Sequence, residues 1–467
     1  MVTIKFGTDG WRSKVDGDFT TVNVRRVAKG IADYIQQQKP SSNRIFVGYD
    51  GRAGSGDFAR ACAEVFSTMG LETLIPPRPV PTPVAAFAAI NFSLIGAVMI
   101  TASHNPPAYN GIKFIPSYGG PATKDITESI ERLIPSEPPV HETYAHLQQI
   151  GMICCLDPIE AYIEKLKGLL ALDELKIKMV IDPMHGASSG IAESLLKGLG
   201  ADVRVIRGEI DPDFGGVIPD PTPPNLKDLQ AAVLQNGYDL GVALDGDGDR
   251  IAAVTEKGDV LAANQILPLL YLHMMGKRSI KGDAARTVAT SHLLDKIALA
   301  HGTGVIETPV GFKYIGALLR ERRIIIGGEE SGGISVVTHI PEKDGIASAL
   351  LLAESIIMSG STLGEMMNEA YDSYGHFVSS RLDLKLDYSR ALSLRELENI
   401  LGTSILGKRI VDKKKVDGLK LILEDGSWLL FRLSGTESLM RVYAESSKKD
   451  FTDSLLEYGK DTILKAQ

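Results

Sequence analysis

The chain has 467 residues, 44% of them hydrophobic and 23% charged, and a formal net charge of −8. That length exceeds one ordinary hydrophobic core, so about two to four domains are expected. The composition is that of a globular protein, and the acidic balance argues against nonspecific binding of nucleic acid.

No stretch offers the roughly 20 continuous apolar residues of a membrane span, since Asn91 and Ser93 interrupt the least polar segment, 87–100. The opening Met1-Val-Thr-Ile-Lys-Phe6 lacks the basic and apolar regions of a secretion signal. Cysteines occur only at Cys62, Cys154 and Cys155, an odd set that gives no disulfide framework. A cytoplasmic setting is expected, with neither membrane nor nucleic acid as partner. Oligomeric state is not legible.

In chain order, the apolar runs 45–49, 178–181, 239–244 and 323–326 read as strands. They end at Asp50, Asp182, Asp245 and the Gly327-Gly328 pair. Helix-like segments fall at 22–38, 57–69, 187–199 and 225–235. This alternation predicts α/β layers, with ligands held in loops at the carboxyl ends of strands. Breaks near 135–142, 256–263 and 359–373 suggest domains 1–140, 141–256, 257–368 and 369–467. The last segment carries short strand candidates at 377–386, 418–424, 428–432 and 440–445, and helical patterns at 389–401 and 450–466. It reads as a smaller α+β domain.

Asp245, Asp247 and Asp249 alternate with Gly246 and Gly248 and are closed by Arg250. Carboxylates at i, i+2 and i+4 of a glycine-bent loop can converge on a hard cation such as Mg²⁺, which would draw charge from a phosphoryl group. An EF-hand calcium loop is the closest rival, but Arg250 stands where that loop needs glycine. A solvated acidic turn is the other alternative. Arg250 can hold a phosphate or pair with a carboxylate.

A second loop, Thr101-Ala-Ser-His-Asn-Pro106, follows the apolar run 95–100. Ser103 is a candidate nucleophile that needs activation. A phosphate on it would add about −1.5 to −2 charges and further oxygens for the cation. His104 is placed for proton handling, and Lys113 can offset charge or act as acid and base. The bland reading is an ordinary Ser/Asn/Pro turn.

Near the C-terminus, Arg432, Ser434, Gly435, Thr436 and Arg441 supply a guanidinium fork, hydroxyls and a free amide suited to a dianion. Glu329, Glu330 and Ser331, set among glycines, read as a loop whose carboxylates can accept hydroxyl groups or as a flexible turn. Lys313 reads as a sugar or phosphate contact or as a solvated lysine. Arg12 is placed to hold the phosphoserine region.

Four segments together resemble the α-D-phosphohexomutase family: Thr101-Ala-Ser-His-Asn-Pro106, Asp245-Gly-Asp-Gly-Asp-Arg250, Gly328-Glu-Glu-Ser-Gly-Gly333 and Arg432-Leu-Ser-Gly-Thr-Glu437. The opening Phe6-Gly-Thr-Asp-Gly-Trp-Arg12 is similar to the family's N-terminal segment, and the match runs in family order along nearly the whole chain. The resemblance implies three related α/β/α layered domains and a smaller C-terminal domain, heart-shaped around a central cleft. It implies that Ser103 is the phosphoserine and that Asp245, Asp247 and Asp249, with Ser103 through its phosphate, hold Mg²⁺. It assigns sugar binding to Glu329 and Ser331, phosphate gripping to Arg432, Ser434, Gly435, Thr436 and Arg441, and proton transfer to His104 and Lys113. Arg12, Arg250 and Lys313 fall in active-site segments.

The implied reaction interconverts hexose 1- and 6-phosphates, with a hexose 1,6-bisphosphate as intermediate and activator. Glu330 favours glucose phosphate, with mannose and glucosamine phosphates as alternatives. Gly333 departs from the histidine common in bacterial mannose and glucosamine forms. A phosphatase and a noncatalytic sugar-phosphate sensor are the readings from other classes.

Overall fold

The computed structural model describes residues 4–7, 9–385, 394–433 and 439–466. The described strands form four sheets in sequence order. In the first, Arg44–Tyr49 runs parallel to Glu72–Ile75 and Gly96–Ile100. Gly96–Ile100 then pairs antiparallel with Tyr109–Pro116, and that strand with Trp11–Lys14. The edge beyond Glu72–Ile75 is Ile153–Cys155. In the second, Lys178–Asp182 lies between Asp202–Val205 and Leu240–Leu244, followed by Ile251–Thr255 and Val260–Leu261. Each of these sheets therefore takes its last strand from beyond the boundaries expected at 140 and 256. Those edge strands are three and two residues long, too short to show alternation in sequence.

The third sheet orders Val305–Thr308, Ala284–Thr287, Ile326–Gly328 and Ile334–Val336. Here the strand starts later than the run 323–326: Arg322 adopts a left-handed φ of 54°, and the chain turns before pairing. The fourth sheet is antiparallel throughout, with Val378–Lys385, Leu439–Ser446, Trp428–Leu433 and Leu419–Leu423 side by side.

Helices cover the sheets where the sequence offers apolar faces. Thr21–Gln37 is capped by the Thr20 hydroxyl, which accepts from Asn23 N. Gly345–Ser359 is apolar on nearly every side and correspondingly buried. Its N-cap, Asp344, accepts from Ala347 N, an arrangement worth about 1 kcal/mol. One apolar cluster runs from Phe46 and Phe87 through Ile181 and Leu244 to Leu270 and Leu350, so the first three units share a core. Among the described residues no single helix is long and apolar enough to cross a membrane.

The metal-type loop is where the first three units meet. Its backbone is held by Thr82 N on Asp247 O at 2.9 Å, Ala187 N on Gly246 O at 3.0 Å and Gly345 N on Gly248 O at 3.1 Å.

Candidate active site

Strand Leu240–Leu244 is buried along its length and delivers Asp245 to its carboxyl end. All three aspartates of the loop are buried, and one oxygen from each lies within 4.8 Å of the others. Asp247 Oδ1 and Asp249 Oδ1 have no hydrogen-bond partner in the protein. Close, buried carboxylates repel one another, and with two oxygens left unpartnered the triad fits a hard divalent cation such as Mg²⁺. Gly246 and Gly248 are needed for the approach. A Cβ would meet Ser103 O at 2.8 Å from the first and Ser188 Oγ at 2.2 Å from the second.

Ser103 follows strand Gly96–Ile100 and is itself buried. Its Oγ donates to Asp245 Oδ2 at 2.9 Å and lies 3.3 Å from His104 Nδ1. Its backbone is left-handed, φ 51°, which costs an L-residue about 1 kcal/mol. Two groups hold it there. Thr101 Oγ1 accepts from Ser103 N at 2.8 Å. Arg52 Nη2 donates to Ser103 O and, at 2.7 Å, to Asn105 O, while Nη1 reaches Pro106 O and Tyr109 O. Arg52 is fully buried and anchored by its Nε on Asp50 Oδ2 at 3.1 Å. Neither Arg52 nor its partner was singled out from sequence as a site residue. The hint available was that strand 45–49 ends in an acid, as the metal-type strand does.

The charges around the serine come from several units. Arg12, on edge strand Trp11–Lys14, donates to Asn105 Oδ1 at 2.7 Å. Lys113 Nζ sits 3.0 Å from both Asp9 and Asp247 and 3.3 Å from Asp249. Burial opposes its charge, but Asp247, Asp9 and Asp249 hold the ammonium above the usual lysine range. His104 goes the other way: burial, then Arg250 and Arg12, keep its imidazole neutral well below the usual histidine range. Arg250 Nη1 faces Asp220 at 3.7 Å, and its Nε is 4.0 Å from Asp245.

A second buried lysine escaped the sequence reading. Lys343 Nζ lies 3.3 Å from Asp9 and from Asp249, and 3.4 Å from Glu342. Its stem fills the space beside Gly333, where a built Cβ would come within 2.3 Å of Lys343 Cδ. That accounts for glycine at 333. The only sequence signal was a Lys-Asp pair directly before an apolar helix.

Glu329 is buried and accepts Gly311 N on Oε1 at 2.9 Å. Burial pushes its carboxyl up to about 7, although Lys343 pulls the other way. Its loop joins the metal-type loop directly, through a bridge between Arg250 and Gly333. Ser331 lies half-buried in that loop. Glu330 Oε2 accepts from Thr287 Oγ1 at 3.4 Å, and its charge is felt by Arg381, Arg432 and Tyr443.

On the C-terminal sheet, Arg432 and Arg441 are cross-strand partners. Arg432 Nε donates to Asp417 Oδ2 at 2.8 Å, and Arg441 Nε lies 3.9 Å from Asp383. Arg432 and Lys313 line one cavity of about 480 Å³. Ser434, Gly435 and Thr436 lie outside the described residues.

A buried hydroxyl against a carboxylate cation site, ringed by Arg12, Lys113, Arg250 and Lys343, defines a protein suited to phosphate chemistry. Four family models match the chain: the alpha/beta/alpha domains I, II and III of phosphoglucomutase/phosphomannomutase over residues 3–140, 160–258 and 262–374, and its C-terminal domain over 387–457. The chain belongs to this α-D-phosphohexomutase family, whose members reversibly isomerise hexose phosphates. It is 30% identical over 460 residues to a phosphoglucomutase/phosphomannomutase of Thermococcus kodakarensis, covering 97% of each chain. It is 30% identical over 455 residues to a phosphoglucosamine mutase of Carboxydothermus hydrogenoformans, again covering 97% of each. Six further relatives, 28–30% identical, carry the phosphoglucosamine mutase name, two of them as probable. A solved structure of a candidate phosphomannomutase from Thermus thermophilus superposes with a TM-score of 0.87 at 33% identity, covering 99% of both chains.

Proposed function

We propose that this chain interconverts hexose 1-phosphates and hexose 6-phosphates, with Ser103 as the phosphoryl carrier. The observation that carries the reading is the 2.9 Å contact from Ser103 Oγ to the buried aspartate triad. In the forward half-reaction the Ser103 Oγ–P bond breaks and a bond from phosphorus to the free sugar hydroxyl forms. The sugar hydroxyl gives up its proton to His104, and His104 Nδ1, 3.3 Å from Ser103 Oγ, delivers a proton to the departing serine oxygen, which is left as the free hydroxyl. Lys113, engaged by three carboxylates, is the weaker candidate for that proton; it serves instead as a fixed positive charge, with Arg12 and Lys343. The product is a hexose 1,6-bisphosphate. It turns over in the cleft, returns its other phosphoryl group to Ser103 and leaves as the isomer.

Asp245, Asp247 and Asp249 would hold Mg²⁺, which when bound supplies a Lewis acid beside the phosphoryl oxygens. Arg250 fixes the metal-type loop against the sugar loop. Glu329 and Ser331 read sugar hydroxyls. Arg432, Arg441 and residues 434–436, with Lys313, grip the phosphate that is not being transferred.

For the sugar, the names of the relatives favour glucosamine phosphate over the glucose phosphate expected from Glu330. Glucose or mannose phosphate is the second reading, supported by the names of the Thermococcus relative and the Thermus structure. The test is an assay with glucosamine, glucose and mannose 1-phosphates, Mg²⁺ and the matching 1,6-bisphosphate. Isomer formation is expected, with the highest kcat/KM on glucosamine 1-phosphate. Release of inorganic phosphate without isomer would make the protein a phosphatase, and binding without turnover would make it a sensor.

A further inference from the structure

Asp417 lies in the turn between strands Lys408–Lys414 and Leu419–Leu423. One of its oxygens, Oδ2, serves two donors: Arg432 Nε at 2.8 Å and Val310 N at 2.9 Å. The very next amide, Gly311 N, donates to Glu329 Oε1 at 2.9 Å. Consecutive hydrogen bonds thus run from the arginine of the C-terminal sheet to the carboxylate in the third sheet's loop. The turn they cross, 309–311, also opens the helix Phe312–Arg320 that carries Lys313. Asp417, Val310, Lys313 and Arg432 line the same cavity.

The chemistry of each link is directional. A guanidinium pinned at Nε has its plane fixed, which sets where its Nη fork can meet an anion. Glu329 is only 6% exposed, so the Gly311 amide fixes one oxygen of a carboxylate with few other ways to orient. Moving the turn by the length of one hydrogen bond would shift both groups together.

We propose that Asp417 is a positioning residue that couples phosphate gripping at Arg432 to hydroxyl recognition at Glu329. The two ends of the substrate are then read as one unit. This rests on the mutase reading above and deepens it. A displacement of Asp417 then disturbs hydroxyl reading and phosphate seating together, whereas loss of Arg432 alone leaves Asp417 on Val310 N.

The test compares wild type, Asp417→Asn and Arg432→Ala on the 1-phosphates of glucose, mannose and glucosamine, with Mg²⁺ and the matching bisphosphates. Asp417→Asn is expected to lower kcat/KM about tenfold, chiefly through KM. It is also expected to change the ratios of kcat/KM among the three sugars by about threefold or more, since a neutral amide oxygen holds Arg432 and the turn that aims Glu329 less firmly than a carboxylate. Arg432→Ala should lower all three by one common factor. If Asp417→Asn also scales all three equally, or changes none, the coupling is overturned. Should Asp417→Asn fail to melt cooperatively, Asp417→Ser is read by the same ratios. A wild-type protein that isomerises none of the three sinks the mutase reading itself, a result distinct from equal scaling.

Discussion

Ser103 Oγ donates to Asp245 Oδ2 over 2.9 Å, across 142 positions of chain. The contact puts the candidate phosphoryl carrier against the candidate cation site without any movement of the backbone. It also separates what Ser103 does chemically from what it costs conformationally.

At φ 51° the residue sits where glycine is at ease and serine is not. Ser103→Gly is therefore expected to regain about 1 kcal/mol of backbone strain, offset by loss of the contact to buried Asp245, and so to melt close to wild type. Its steady isomerase turnover should vanish. Calorimetry and a coupled assay on one preparation check both halves, and wild-type turnover by the glycine variant would remove Ser103 from the mechanism.

The triad leaves Asp247 Oδ1 and Asp249 Oδ1 buried without partners. Mg²⁺ should raise the melting temperature of the chelator-treated protein in a concentration-dependent way, because it binds the folded state alone. Asp249→Asn should shrink that shift and abolish activity. An equal shift in the variant would place the ion elsewhere.

Glu329 is raised by burial from 4.5 to about 7. The folded state then holds a proton that the unfolded state has lost between those values. Its contribution to stability is intact below about 4.5 and declines as the pH climbs through 7, by on the order of 3 kcal/mol. Glu329→Gln should flatten that decline in unfolding measured from about pH 5 to pH 8. In the same variant the rise of kcat/KM through neutral pH, expected as the carboxylate forms and accepts sugar hydroxyls, should disappear. A pH–rate profile unchanged by the substitution would count against this role.

Arg52 ties Asp50 to four carbonyls of the serine loop and its flank, from Ser103 to Tyr109. Arg52→Met leaves Asp50 buried and short of its partner, a loss of about 3–5 kcal/mol. Denaturant titration should show it, and kcat should fall more than KM rises, since Arg52 supports the reacting loop and touches no sugar. A drop confined to KM would contradict that.

The five motif segments were readable because each packs its chemistry into a few consecutive residues. The α/β rhythm was readable because buried strands such as Leu240–Leu244 are continuous apolar runs. Arg52, Lys343 and Asp417 were not, because a lone charged residue in a loop looks solvated until its partners, distant in sequence, are known. Helix 187–199 was expected too early for a related reason. Residues 187–189 form the turn that braces the metal-type loop, and the helix begins only at Ile191, after Gly190.

The amides of Thr82, Ala187 and Gly345 all end on the backbone of one short loop. A fragment stopping before residue 345 would still carry every aspartate of the triad, yet lack one of the three clasps that shape it. Cation affinity in this protein is accordingly a gauge of whether its first three units have assembled, and truncation should erode it well before any carboxylate is lost.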